Sequence, residues 1–189
     1  MKIVISVIMA LVVSLPVAGW GAGASDAMRK ASASYSRGDF PSTIDSLRDA
    51  LEAAWIEAPL TAQNVTFVSA PPQGFRKFKA RADNIFETID PVQLYIEPVG
   101  CILKKEGQTY RIAVSADFAV MDEKGTALGG QNGIEALKAE VQSFSTEIMM
   151  TFTFVPKGLP PGNYKLAVIL NDKNSDKTAK FEKDFVIKK

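Results

Sequence analysis

Apolar and polar residues follow two different periods along this chain of 189 residues. Between residues 25 and 58, apolar side chains recur every three or four positions, which is typical of amphipathic helices. From residue 73 onward, apolar and polar side chains alternate in several short segments, which is typical of strands with one buried face. The sequence therefore predicts a mainly β protein with an α appendage near its N-terminus.

The helical region, residues 25–60, is predicted to be a hairpin of two helices. Gly38 is suited to end the first helix, because glycine readily adopts the left-handed conformation that follows a helix. Pro41 falls in the first turn of the second helix, where proline is favourable, and Pro59 ends that helix. The second helix is predicted to carry one apolar stripe, which consists of Ile44, Leu47, Leu51 and Ala54 or Trp55.

The hairpin also carries a small residue in its first helix, a Gly-Asp-aromatic turn and an Ala-Leu pair, at Ala31, Gly38-Asp39-Phe40, Ile44, Leu47 and Ala50-Leu51. This pattern resembles one tetratricopeptide repeat. A single repeat cannot bury its own apolar face, so the resemblance implies packing against the rest of the chain, a second copy or a partner. The alternative is a plain helical hairpin that serves as a lid or brace.

Residues 73–189 are predicted to form about seven or eight short antiparallel strands. The clearest alternation covers residues 110–120, and further strands are predicted at residues 75–81, 92–97, 146–155, 159–172 and 178–189. Residues 61–72 are predicted to be a linker or a short strand. Short strands with regularly spaced turns are typical of an antiparallel sandwich.

The segment 128–142 has no clear period. Ile134, Leu137 and Val141 have helical spacing, but two pairs of turn-forming residues precede them. We predict a long loop with at most a short helix, and such a loop in a β domain is often where binding occurs.

The sequence Leu159-Pro160-Pro161-Gly162-Asn163-Tyr164 is followed by alternating apolar residues. This arrangement resembles the start of strand F in immunoglobulin-like and fibronectin type III domains. The resemblance implies an immunoglobulin-like β-sandwich in which the Tyr164 hydroxyl bonds to an upstream backbone group. Gly162, Tyr164 and Gly38 are therefore expected to be structural residues.

Residues 1–24 have the pattern of a secretory signal peptide. Lys2 precedes an apolar run over residues 3–15, and Ala22-Gly23-Ala24 matches a small-residue cleavage site. We expect cleavage after Ala24, with an uncleaved membrane anchor as the alternative. The protein is then predicted to be an exported bacterial protein, periplasmic or extracellular, with no membrane span after signal removal.

The chain has 22 basic and 21 acidic residues, one cysteine and no histidine. A net charge near zero argues against a nucleic-acid partner. The lack of histidine excludes His-dependent catalytic triads and most zinc or copper sites, so no metal or cofactor is expected. Cys101 is predicted to be a small buried residue, and an intermolecular disulfide or reactive thiol is the alternative.

One basic cluster is the candidate partner-binding surface, and it contains Phe75, Arg76, Lys77, Lys79 and Arg81. Such charges could bind an acidic polymer or phosphate. They could equally protect the edge of a sheet from aggregation.

Two acidic patterns in the sequence are candidate sites of chemistry. Residues 172–176 imitate the start of a calcium loop, but Lys177 and Lys183 occupy the positions where that loop needs Gly and Glu, so a polar turn is predicted. General acid–base catalysis would need paired carboxylates, and the candidates are Glu97, Asp117, Asp122 and Glu123. No spacing marks two of them as a pair.

These observations predict a non-enzymatic binding or assembly protein that acts on an unidentified protein partner through a β-sandwich surface, including its open sheet edge. A carrier of a hydrophobic ligand, with the hairpin as a lid over a sandwich cavity, is the first alternative. A carboxylate-dependent enzyme that acts on envelope glycans is the second.

Overall fold

The computed structural model describes residues 22–188, which form two helices followed by a mostly β fold with curled sheets. The predicted signal peptide lies outside these residues except for its last three positions, where the first helix begins. The helices are α1 (Ala22–Ser36) and α2 (Phe40–Glu57). The strands are β1 (Thr61–Phe67), β2 (Ile85–Phe86), β3 (Val92–Val99), β4 (Lys104–Glu106), β5 (Thr109–Met121), β6 (Ala127–Val141), β7 (Met150–Phe154), β8 (Gly162–Asp172) and β9 (Thr178–Ile187).

The two helices form the predicted hairpin. Gly38 has a φ of +74° in the connecting turn, and the Asp39 side chain caps α2 by accepting a hydrogen bond from the Ser42 backbone N–H. The seam between the helices is made of small side chains, since the buried residues include Ala24, Ala31, Ser34, Thr43 and Ala50. The hairpin is confirmed, whereas its likeness to a tetratricopeptide repeat rests on the sequence alone.

The strands form two sheets that curl into a half-barrel. One sheet has the order β1-β3-β7, and the other has the order β2-β9-β8-β5, with β4 and β6 both paired to β5. All pairs are antiparallel except β2 and β9. The predicted mainly β fold is confirmed in this coarser form, but an immunoglobulin-like sandwich is not. Residues 61–72 contain β1, which pairs with β3.

The core lies between the two sheets, and β8 shows how the sequence builds it. Its buried side chains are Tyr164, Leu166, Val168 and Leu170, which alternate with partly exposed residues as predicted. Each such fully buried aliphatic side chain contributes about 1.5–3 kcal/mol. The Tyr164 hydroxyl donates to the Pro160 carbonyl oxygen at 2.6 Å, which confirms the predicted backbone contact.

Residues 75–81 do not form the predicted strand. They lie in a loop with two isolated bridges, Val68 to Ala80 and Gly74 to Lys77. Arg76 has a φ of +56° in a tight turn that the Lys77 N–H closes on the Gly74 carbonyl oxygen at 3.0 Å. A left-handed residue at the second position of the segment is incompatible with an extended strand there.

Residues 128–142 are not the predicted loop either, because β6 covers almost all of them. One of the glycines that suggested a loop, Gly130, instead allows β6 to approach β5 closely. A Cβ on Gly130 would lie 2.2 Å from the Phe118 carbonyl oxygen, and the β5–β6 pairing contains three register shifts. These are the two ordinary uses of glycine within a strand.

The hairpin is fastened to the sheets by the turn between β8 and β9, residues 172–177. The Lys177 ammonium donates to the carbonyl oxygens of Ile56 at 2.6 Å, Ala58 at 2.7 Å and Gly100 at 3.0 Å. The Trp55 indole N–H donates to the Cys101 carbonyl oxygen at 2.7 Å. The polar segment that imitates a calcium loop is therefore a turn, as predicted, and Lys177 in it satisfies carbonyl groups at the end of α2.

Candidate functional site

One edge of β6 is an open and exposed edge of the β fold. β6 is hydrogen-bonded to β5 on one side and to no other strand within residues 22–188. The first seven residues of β6 are all exposed, and residues 127–133 contain neither a charged residue nor a proline. Charged residues and proline are the usual means by which proteins block pairing at an edge. This part of β6 can accept another strand.

An apolar groove of about 210 Å³ lies beside this edge. Leu128 of β6 forms one wall, and Val155 and Leu159 form the other, while Phe118 and Phe154 also contribute. Leu128 is 48% exposed and Val155 is 53% exposed, so both offer apolar area to a ligand. The groove separates β6 of one sheet from the end of β7 in the other.

The exposed half of β6 ends at a fixed bend. The Gly133 N–H donates to Asp117 Oδ1 at 2.6 Å, and the Asn171 amide donates to Asp117 Oδ2 at 2.9 Å. These two hydrogen bonds hold the pKa of Asp117 below its ordinary value. Beyond the bend, β6 carries the charged residues Glu135, Lys138 and Glu140. The uncharged edge is therefore a defined segment rather than the whole strand.

The predicted basic cluster is brought together only in part. Arg76 lies over the Phe75 ring, with 5.0 Å between the guanidinium carbon and the ring centroid. Arg81 donates to the Ile85 carbonyl oxygen at 2.7 Å, so its guanidinium stabilises the loop rather than facing a partner. Lys77 and Lys79 are exposed. None of the five residues of this cluster lines the groove beside β6.

Glu97 is the most deeply buried of the candidate acids, with 3% of its surface exposed. It accepts hydrogen bonds from the Tyr95 hydroxyl and the Asn64 amide, each at 2.8 Å, and Arg76 lies 3.5 Å away. Burial alone would raise the pKa of Glu97. The three partners together lower it by more than burial raises it, so the pKa lies below its ordinary value. The ionised carboxylate thus fastens the loop that carries Arg76 to β3.

The other candidate acids are also engaged. Asp122 Oδ1 accepts hydrogen bonds from the Lys124 and Thr126 backbone N–H groups at 2.9 and 2.8 Å. Glu123 accepts one from the Asn163 amide at 2.6 Å. No two of the four acids share a hydrogen-bond partner among residues 22–188. Each has a structural role in its own turn or strand.

Cys101 is fully buried, as predicted. Burial, with a smaller contribution from the nearby Asp172 carboxylate, raises the pKa of the Cys101 thiol to about 12. The thiol is therefore protonated at neutral pH and is a poor nucleophile. Within the described residues, no group of three acidic or cysteine side chains is arranged to hold a metal ion.

The apolar stripe of α2 is only partly covered by the rest of residues 22–188. Trp55 is buried against the β fold, but Ile44, Leu47 and Leu51 are 50%, 52% and 50% exposed. The stripe lies beside the small-residue seam and not within it, so contact with α1 does not cover it. Neither helix of residues 22–188 has the length and apolar character needed to cross a bilayer.

No protein-family model and no curated protein sequence matches the chain. Among solved structures, it is similar to the alkylpurine DNA glycosylase AlkC from Pseudomonas fluorescens, with 9% identity and a TM-score of 0.37 over 87% of this chain and 47% of that one. This chain therefore spans only about half of the length of the glycosylase.

The chain is also similar to superoxide reductase (neelaredoxin) from Ignicoccus hospitalis, with 14% identity and a TM-score of 0.34 over 72% of this chain and 87% of that one. A family 123 glycoside hydrolase from Clostridium perfringens gives 8% identity and a TM-score of 0.33 over 55% and 22% of the two chains. Likenesses this slight carry no argument about function.

Proposed function

We propose that this chain is an exported, non-enzymatic binding or assembly protein whose β fold receives an extended segment of a protein partner along β6. The observation that carries the proposal is the uncharged edge at residues 127–133 beside an apolar groove. In this mode of recognition, backbone hydrogen bonds provide affinity and a side-chain pocket provides specificity.

The geometry also describes the partner segment. Backbone pairing with β6 requires an extended strand, because only an extended strand presents N–H and C=O groups at the spacing of the edge. The lining of the groove of about 210 Å³ includes Leu128, Val155 and Phe154, which favour one apolar side chain of the partner, and it also includes Lys157. The segment that fits best is therefore extended, uncharged and apolar at the position that meets the groove.

The alternatives lack a comparable observation. The four candidate acids each accept hydrogen bonds from their own neighbourhood, which leaves the carboxylate-dependent mechanism without a specific support. The hairpin meets the β fold through Trp55 and Lys177, and α2 also lines an open groove of about 780 Å³ with Tyr110 and Phe144. Because charged Arg48, Glu52 and Lys105 share this lining, the groove is not a continuous apolar pocket for a hydrophobic ligand.

A cross-linking experiment tests the proposal. A photoreactive residue at Gln131 would be combined with Leu128→Lys, which adds a charge to the groove at an exposed position that the fold tolerates. The control is Ile89→Lys, since Ile89 is 77% exposed in a loop far along the chain from β6.

In envelope extract, we expect Gln131 to capture an extended apolar segment of one protein, and we expect L128K but not I89K to abolish this capture. Hydrogen exchange of the backbone amides in residues 127–133 should slow when that protein is added. Capture that L128K leaves unchanged, or exchange rates that the partner leaves unchanged, would overturn the proposal.

A further inference from the structure

A second interaction surface lies on the helical hairpin, and its Leu51 end lies near Tyr110 and Gln142, at the other end of the β5–β6 ladder from residues 127–133. Six large apolar side chains are at least half exposed there, namely Met28 at 53%, Tyr35 at 65%, Phe40 at 57%, Ile44 at 50%, Leu47 at 52% and Leu51 at 50%. We call this set the outer face of the hairpin. An exposed apolar cluster of this kind is a mark of an interaction site.

The spacing of the α2 residues shows what kind of element fits the outer face. Phe40, Ile44, Leu47 and Leu51 follow one another at intervals of four, three and four positions. This is the spacing of a coiled-coil seam, and at 100° per residue the four side chains fall within an arc of about 60°. The occupant that this spacing fits is another α-helix.

Both helices of the hairpin contribute to the outer face. Met28 and Tyr35 are seven positions apart in α1, so they lie on one side of that helix. The Tyr35 and Phe40 rings meet edge to face with 5.8 Å between their centroids. The outer face is thus a continuous surface across two helices, and its small-residue seam keeps the helices close.

The spacing is also the same when it is read in either direction. An antiparallel copy of α2 would therefore place its own four apolar residues against these four, about a two-fold axis between Asp45 and Ser46. Phe40 of one copy would meet Leu51 of the other. A two-fold interface needs a surface that is complementary to itself, and this one is.

The available area fits a dimer. If a large apolar side chain has a full area of about 180 Å², six that are 50–65% exposed offer about 600 Å² per copy. Two copies would then bury about 1,200 Å², which is the lower end of the range for specific interfaces.

The charges of α2 permit this contact. Asp45, Arg48, Asp49 and Glu52 all fall outside the arc of the apolar residues. Arg48 pairs with Asp45 of its own helix at 3.0 Å. No charge of α2 would have to be buried in the contact.

We propose that a second copy of this chain covers the outer face, with the two α2 helices packed antiparallel as a four-helix arrangement. The inference concerns a different surface from the β6 edge, so either can fail without the other. The four-helix arrangement buries the apolar residues that a lone hairpin leaves in water.

Sedimentation of the chain from Ala22 onward tests the proposal. We expect a dimer at micromolar concentration, and we expect Leu47→Glu to shift it to monomer by at least tenfold in the dissociation constant. Ile89→Glu, at a loop position that is 77% exposed, should leave the dimer unchanged. Circular dichroism of L47E should match the parent chain, because Leu47 is already half exposed.

Thiol cross-linking tests the orientation. In the antiparallel arrangement, Phe40→Cys in one copy lies beside Leu51→Cys in the other, whereas the two copies of residue 40 are roughly 16 Å apart. A short bifunctional thiol reagent should therefore link a mixture of F40C and L51C but not F40C alone, and buried Cys101 should not react. Three results would overturn the proposal. They are a chain that is still monomeric at about 100 μM, a dimer that L47E does not weaken, and linking of F40C alone.

Discussion

Lys177 is the residue whose removal would best show how the hairpin is held on the β fold. Its ammonium donates three hydrogen bonds, to the carbonyl oxygens of Ile56, Ala58 and Gly100. Lys177→Met keeps the length and apolar stem of the side chain and removes all three donors. Lys173→Met is the matched control, because Lys173 lies in the same turn and is exposed.

The size of the effect follows from the contacts. A hydrogen bond to a charged group contributes about 1.5–3 kcal/mol when it is well buried. Lys177 is only partly buried, so water can replace part of each bond, and we reduce the value to about 1 kcal/mol per carbonyl. The K177M variant should then lose about 3 kcal/mol of unfolding free energy, or about 6–12 °C in Tm for a domain of this size.

Two probes separate loss of the hairpin from loss of the sheets. In a chain that begins at Ala22, Trp55 is the single tryptophan, and its indole lies at the junction. We expect the Trp55 emission of K177M to shift to the red at a lower urea concentration than the loss of the β signal in circular dichroism. If K177M and K173M unfolded within about 0.5 kcal/mol of each other, the junction would not depend on Lys177, and the reasoning would be refuted.

Two further substitutions test individual contacts. Tyr164→Phe removes the hydroxyl that donates to the Pro160 carbonyl oxygen. In urea titrations it should lower the unfolding free energy by about 1–2 kcal/mol, while partner capture at Gln131 stays unchanged. An unaltered urea midpoint would contradict this role. The pKa of Glu97 is depressed in the folded state, so its contribution to stability is present above its unfolded pKa and is lost as the pH falls through the folded pKa. Glu97→Gln should therefore reduce the acid sensitivity of the urea midpoint below about pH 4, whereas exposed Glu87→Gln should not.

The elements that the sequence predicted correctly depend on neighbours in the chain. The turn of the hairpin needs the left-handed Gly38 and the cap at Asp39, which are signals within a few residues of each other. The alternation in β8 and the contact from Tyr164 to Pro160 are local in the same sense. Such features can be predicted because the residues that cause them are adjacent.

The elements that were predicted wrongly depend on distant partners. Gly130 suggested a loop, but its reason is the Phe118 carbonyl on the neighbouring strand. Arg76 lies in a segment that was predicted to be a strand, yet its backbone N–H donates to the Tyr95 hydroxyl at 2.9 Å in a left-handed turn. The local pattern of apolar residues gives no information about either distant partner, the Phe118 carbonyl oxygen or the Tyr95 hydroxyl.

The sequence predicted the type of the candidate site, an open sheet edge, but not its position. An open sheet edge was expected, but its position depends on which strand of the sheet lacks a neighbour, and this is a property of topology. The stripe of α2 was recognised as apolar, but its spacing could not tell whether the rest of the chain covers it. The basic cluster is visible in the sequence because its residues are adjacent, whereas the groove beside β6 is formed by segments that are far apart in sequence, namely residues 118–120, 128–130 and 154–159.

The residues of the small-residue seam and those of the outer face are under different evolutionary constraints. Ala31 and Ala50 hold the helices at close range, so a larger side chain at either position would force them apart. Leu47 and Leu51 are not needed for that contact and can change at little cost to the fold. The outer face can therefore acquire, lose or exchange a partner by substitution while the hairpin itself stays intact.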